Sequence, residues 1–317
     1  FLAVCCLCVH GCARADGSVL ETNRASAASG PDRSPATGRS VPREDGLGQP
    51  DDLALANLLK ITPQVYVGGE ARGDAAFARL VRMGVKTVVS VDGARPDIPT
   101  ARRHKLRYVH IPIGYDGIDK RAGLSLASLV RHADGPFYVH CHHGLHRGPA
   151  AAAVVCMAAG DVDGPGALQI LARAGTSKKY AGLWRDVRRY QVPADDVDLP
   201  ELVELAEVAS LAAAMAKIDR ACENLGRCRD AQWSAPPDHP DLIPAQEALL
   251  LKEAFRESAR NLSDEFGDEF ATWLTEAESA AQALEDSLSE TNNADESWRR
   301  LEVLQRSCRR CHAKYRD

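Results

Sequence analysis

Between His140 and Arg147 the chain reads His-Cys-His-His-Gly-Leu-His-Arg, so that five residues separate a cysteine from an arginine. Chemistry at a phosphate ester needs a nucleophile, a cradle for the phosphoryl oxygens and a fixed positive charge. Cys141 supplies the nucleophile. The backbone N–H groups of His142, His143, Gly144, Leu145 and His146, in a loop that runs into a helix, curl around the anion with help from the helix N-terminus. Arg147 holds two phosphate oxygens with its planar fork. In the positive field of such a loop the sulfur attacks as thiolate. His140, His142, His143 and His146 also raise metal binding. A turn this tight cannot aim four imidazoles at one ion, so the last three are expected to line the loop or face solvent.

A second group lies near the other end, Cys308-Arg309-Arg310-Cys311-His312. Two cysteines three apart on a helix share a face. Their thiols can add across the vinyl groups of a porphyrin while the next residue's imidazole takes the iron. Half of a zinc site would require two more ligands, for which His239 is only a loose candidate. A redox dithiol pair belongs at a helix N-terminus after a strand. The motif therefore predicts a c-type haem held covalently by Cys308 and Cys311, with His312 as proximal iron ligand.

The elements that must position these groups differ between the two halves. From residue 51 to 192 short strands alternate with helices: strands over 64–67, 86–91, 108–113 and 137–140, helices over 74–83, 124–132 and 150–159. The strand over 137–140 runs straight into the Cys141 loop, and an Ala-rich helix follows it. This alternation predicts an α/β domain with a central, mostly parallel sheet flanked by helices. Residues 192–200, with two prolines and three aspartates, read as a linker. Beyond it the apolar period becomes helical. Leu202, Leu205, Val208, Ala212, Met215, Ile218, Cys222 and Leu225 form one stripe, and three more follow, the last through Trp298, Leu301, Leu304, Cys308, Cys311 and Tyr315. Residues 193–317 thus predict an all-α four-helix bundle, with 236–244 as its longer connection. Cys222 and Cys228, at the end of the first stripe, are either a disulfide pair or two separate thiols.

The first loop resembles the His-Cys-x5-Arg signature of the Cys-dependent protein tyrosine and dual-specificity phosphatases. The resemblance spans about Asn57 to Tyr190 and includes the preceding strand, Gly144 at the family's glycine position and the opening Val65-Tyr66-Val67-Gly68-Gly69 segment. It implies hydrolysis of a phosphorylated substrate of the protein phosphotyrosine type through Cys141 and Arg147. It also implies an upstream aspartate that protonates the leaving oxygen. Asp116 is the first candidate and Asp119 the second, both closer to Cys141 than the family's spacing. The family places Ser or Thr directly after the arginine to help the thiolate leave; Gly148 stands there, which implies slow turnover.

The C-terminal stretch Cys308 to Arg316, on the last of four helices, resembles cytochrome c-prime over roughly Leu199 to Asp317. That resemblance implies a haem in the bundle core, Arg316 near the outer side of the His312 imidazole, and a first-helix residue facing the iron's other side. Met215 is the candidate there; its alternative is to be core filler. A Met ligand suits electron transfer with a redox partner, whereas an apolar residue leaves the iron open to a small gas. A homodimer through the bundle is a further expectation.

Residues 1–50 read as an export signal remnant followed by a disordered, Ser-, Ala-, Gly- and Pro-rich linker. Val9-His10-Gly11-Cys12 resembles a lipobox, with Cys12 as a candidate lipid anchor, and export to the periplasm is expected. The formal net charge of −5 argues against nucleic acid as a partner. Two functions compete: an exported phosphatase fused to a haem domain, and an electron-transfer or gas-binding cytochrome whose phosphatase-like domain is a degenerate anion-binding module.

Overall fold

The computed structural model describes residues 55–207, 211–291 and 293–315. The candidate anchor Cys12, the linker expected over 1–50, Val208 and Arg316 lie outside the described residues. The described residues pack as one compact unit.

The first half builds a five-stranded mixed sheet. In chain order come β1 (Leu59–Lys60), β2 (Val65–Gly68), α1 (Gly73–Arg82), β3 (Thr87–Ser90), α2 (Ile98–Arg103), β4 (Arg107–His110), α3 (Lys120–His132), β5 (Phe137–His140), α4 (Arg147–Ala158), α5 (Gly164–Arg173) and α6 (Ala181–Arg189). The strand order is β1-β2-β5-β3-β4. Only the β1–β2 pair is antiparallel; the other three are parallel. Gly68, His140, Ser90 and His110 stand in register across the sheet. Four parallel strands therefore end at one level, with β5 in their middle, which is where an open α/β sheet offers a crevice to ligands.

β3 and β5 are buried along their whole length, as near-continuous apolar strands covered on both faces must be. Residues 147–156 of α4 are likewise all buried. Its run of alanines leaves room for the helix to lie close on the sheet, so Arg147, at its first position, is carried into the interior. The sequence reading places this helix at 150–159; it starts three residues earlier, inside the motif. α2, α5 and α6 are not read from the sequence at all.

The second half is a helical region of α7 (Leu211–Asp230), α8 (Pro244–Phe266), α9 (Asp268–Asp286), a π turn (Ser287–Thr291) and α10 (Ala294–Tyr315). These helices share one apolar cluster that includes Ile218, Leu225, Leu251, Phe255, Phe270, Leu284, Leu301 and Leu304. No helix among the described residues is long and apolar enough to cross a membrane.

One expectation needs correction. The first helical stripe does not begin at Leu202. Residues 193–206 form a non-helical strap against the α/β layer: the Ser128 hydroxyl donates to the Pro200 carbonyl at 2.8 Å, and the His110 N–H donates to Val203 O at 2.9 Å. Leu202 packs against the first core. Sheet-edge hydrogen bonds are available there, and they win over the helical period of the apolar residues. Of the two readings of Cys222 and Cys228, the separate thiols hold, since neither is in a disulfide. Six residues along one helix rise about 9 Å, beyond the Cα span that a disulfide bridges.

The two halves are stitched together by α8. Leu249, 2% exposed, belongs to the core cluster of the α/β domain rather than to that of the helices. Truncating it to alanine removes the central apolar peg of this junction. Leu249→Ala is expected to lower the stability of the whole unit by about 2–4 kcal/mol, measured by urea unfolding; a loss below about 0.5 kcal/mol would show that the junction does not contribute.

Candidate active site

The loop between β5 and α4 is shaped from outside. Glu70 N–H donates to His142 O at 3.1 Å, Asn57 Nδ2 to His143 O at 2.8 Å, and Thr176 Oγ1 to Leu145 O at 2.7 Å. In a trans peptide the N–H points opposite to the carbonyl. Holding these three carbonyls outward therefore turns the N–H groups of His143, Gly144 and His146 toward the loop's interior, where an anion would sit. Gly144 has φ +74°, and a Cβ there would stand 2.2 Å from the Gly68 carbonyl carbon. No other residue fits this close crossing of the loop over the end of β2.

Cys141 lies at the C-terminal end of the central strand, 2% exposed. Gly148 flanks it: a Cβ there would lie 3.6 Å from Cys141 Sγ and 3.3 Å from Cys141 N. The position that could present a hydroxyl to the sulfur is thus at the right place and lacks the hydroxyl.

Arg147 is fully buried. Its Nη1 donates to Ile113 O at 3.2 Å and to Glu257. Nη2 donates to the Tyr115 hydroxyl at 3.1 Å and reaches Asp92 Oδ1 at 3.5 Å. The guanidinium carbon lies 4.1 Å from the centroid of the Tyr115 ring. Nε is buried and has no hydrogen-bond partner. Burial disfavours the cation, but Glu257, Tyr115 and Asp92 outweigh it and raise its pKa. Asp92 is the mirror case: burial opposes its charge, yet Arg147 and Arg260 hold its carboxyl below the ordinary carboxylate range. Arg260 grips both Asp92 oxygens, at 2.9 and 3.3 Å.

The remaining sequence candidates divide. His142 Nδ1 lies 3.4 Å from Glu70 Oε2, and its ring stands 4.3 Å from that of His143. His146 packs 4.2 Å from the Tyr180 ring, and burial pushes its imidazole down to about 4. Among the described residues no group of three or more His, Cys, Asp or Glu side chains is arranged to hold a metal. Asp116 is exposed on the loop after β4. Its backbone carbonyl accepts from Arg185 at 3.2 Å, and its carboxylate folds over Gly114. Asp119 is occupied structurally as the cap of α3, accepting from Ala122 N at 2.8 Å. Asp92, Tyr115 and Glu257, which hold the arginine, are not found by sequence reasoning.

At the second motif, Cys308, Cys311 and His312 sit half-buried in the last turns of α10. Cys308 and Cys311 border the helical apolar cluster, as do Met215, Cys222 and Tyr315. A hydrogen bond with Cys222 lowers the pKa of the Cys308 thiol, while burial pushes that of Cys311 up.

No family model matches the chain. It is similar to the dual specificity protein phosphatase TpbA of Pseudomonas aeruginosa strain UCBPP-PA14, with 27% identity over 201 residues, 62% of this chain and 83% of the relative. A crystal structure of P. aeruginosa TpbA in complex with phosphotyrosine aligns with a TM-score of 0.34 and 24% identity, covering 42% of this chain and 82% of that one. The catalytic core of the S. cerevisiae PP-IP phosphatase SIW14 aligns with a TM-score of 0.37 and 13% identity, over 43% and 85% of the respective chains. The similarity to the curated relative, with the Cys141–Arg147 loop, identifies a Cys-dependent phosphatase of the protein-tyrosine-phosphatase-like type.

His140, immediately before the nucleophile, is buried as well. It shares a 2.6 Å hydrogen bond with the Tyr108 hydroxyl. Burial lowers its pKa from 6.5 to about 4. The unfolded chain therefore takes up a proton as pH falls below 6.5, while the folded chain resists until about 4. Stability is fully present above about pH 6.5 and declines toward pH 4, by roughly 3 kcal/mol for this group. Urea titrations across that range should show a shallower decline in His140→Gln; identical slopes would exclude His140 as a source.

Proposed function

We propose that this chain hydrolyses phosphomonoesters of the protein phosphotyrosine type through Cys141. The observation that carries the reading is the placing of Cys141 and Arg147 at the two ends of one loop whose carbonyls are tied outward. Cys141 Sγ attacks phosphorus, and the ester oxygen leaves with a proton from Asp116, the rim residue proposed as acid. Water then cleaves the phosphocysteine, releasing phosphate and the thiolate. With Gly148 offering no hydroxyl to the departing sulfur, this second step is the slow one. Arg147 Nε, buried without a partner, is the donor left for a phosphate oxygen. Hydrolysis of p-nitrophenyl phosphate and of a phosphotyrosine peptide should fall at least about a thousandfold in Cys141→Ser and in Arg147→Ala. Activity unchanged in Cys141→Ser would remove the cysteine mechanism.

We further propose that the helical region is a four-helix bundle carrying c-type haem, and that the protein is exported. The donor set supports this: two free thiols on one helix border an apolar cluster, with His312 beside them to take the iron and Met215 on the same cluster's edge. Such a haem supplies electron transfer or gas binding. The polypeptide made with a c-type maturation system should keep its haem through acid–acetone extraction, and Cys308→Ala/Cys311→Ala should lose it. Complete extraction from the wild-type chain would end the haem reading. Gly148 favours one second reading, a cytochrome whose phosphatase-like domain only binds anions.

A further inference from the structure

A phosphatase site must admit its substrate, yet Cys141 is 2% exposed and Arg147 is 0% exposed. On one side Arg147 is closed off by a stripe of α8, through Glu257. Leu249, Glu253, Glu257, Arg260 and Asn261 follow the spacing of one helical face. Each meets the α/β domain. Leu249 enters its core. Glu253 Oε1 accepts from the Tyr180 hydroxyl at 3.0 Å. Glu257 accepts from Arg147. Arg260 holds Asp92 at 2.9 Å, and Asn261 Nδ2 donates to Gly93 O at 3.2 Å. Tyr180 packs on His146 in the phosphate loop, so the contacts surround the loop from two sides and engage its arginine between them.

We propose that α8 is an autoinhibitory cap, with the Glu257 carboxylate occupying a guanidinium N–H that the substrate's phosphoryl group uses; this rests on the phosphatase reading above. A planar carboxylate and a tetrahedral phosphate each offer a guanidinium two anionic acceptor oxygens. One cannot be bound fully while the other is there. Substrate entry requires α8 to lift, and the helical region thereby sets the fraction of open enzyme. Apparent affinity falls by that fraction. A carboxylate that merely positioned the arginine would not need Glu253, Arg260 and Asn261 to seat a whole helix on the loop.

The test uses the full chain and two readouts. Glu257→Gln keeps the size of the side chain and removes its charge. Asn261→Ala loosens the cap at the Gly93 carbonyl without touching Arg147. The first readout is the rate of Cys141 alkylation by iodoacetamide, located by peptide mass spectrometry, with and without inorganic phosphate. The second is kcat/KM for p-nitrophenyl phosphate. Both variants should be alkylated at least about fivefold faster than wild type, should gain protection by phosphate at lower concentration, and should show a lower KM. Faster alkylation with phosphate protection but no turnover in any protein supports the cap and defeats the hydrolytic reading. Unchanged alkylation in both variants, or a fall in kcat/KM in Glu257→Gln with KM raised, overturns the cap and makes Glu257 a positioning residue for Arg147.

Discussion

A guanidinium with no exposure to solvent is the constraint on which the rest of this molecule depends. Moving a cation out of water is costly, and the interior has to offset that cost with anions and hydrogen bonds in the right geometry. Arg147 receives them from three separate stretches of chain: Asp92 after β3, Ile113 and Tyr115 after β4, and Glu257 on α8. β3, β4 and the helical region are therefore all committed to one side chain. The parallel register that ends the strands at a common level places Asp92 and the segment 113–115 beside β5, where the arginine emerges. Asp92 in turn is gripped by Arg260, so the charges alternate from α4 to the loop to α8.

The chemistry-bearing residues were legible because their spacing is local. Cys-x5-Arg after a strand, and a glycine within it, require nothing beyond one turn of chain to state what they could bind. The strands β2, β3 and β5 were legible for a related reason: apolar runs covered on both faces leave no other reading. The short helices α5 and α6 were not, although Asp163 before Gly-Pro, capping the Gly166 N–H at 2.8 Å, offered a start signal. The partners of Arg147 were invisible in principle. Asp92 lies 55 residues away and Glu257 lies 110 residues away along the chain, and no periodicity connects them.

The strap over residues 193–206 departs from its sequence pattern for a related reason. Leu202 and Leu205 stand at helical spacing from Met215, and the pattern extends naturally through them. Pattern alone reports which residues seek burial, not against what. Here Leu202 finds the α/β core instead of the helical cluster, because the strap is already committed by Pro200, Val203 and the edge residue His110. The same ambiguity hides inside α8. Its apolar stripe, Ala248, Leu251, Phe255 and Leu262, faces the other helices. The charged stripe beside it would pass for a solvated face in any reading of the sequence, and it is the one that meets the phosphate loop.

That arrangement alters what joining two domains means for this chain. A flexible tether would let each half act alone, since it gives one half no differential interaction with the states of the other. A helix that contributes Leu251 and Phe255 to one core, Leu249 to the other, and Glu257 to a buried arginine is not a tether. Any change in the helical cluster that displaces α8 must also change the environment of Arg147, and an anion bound at Arg147 must, by linkage, favour the displaced position of α8. The coupling therefore needs no chain of intermediates between the halves: one element, α8, packs into both cores, and the charges along its polar stripe decide how tightly it is seated.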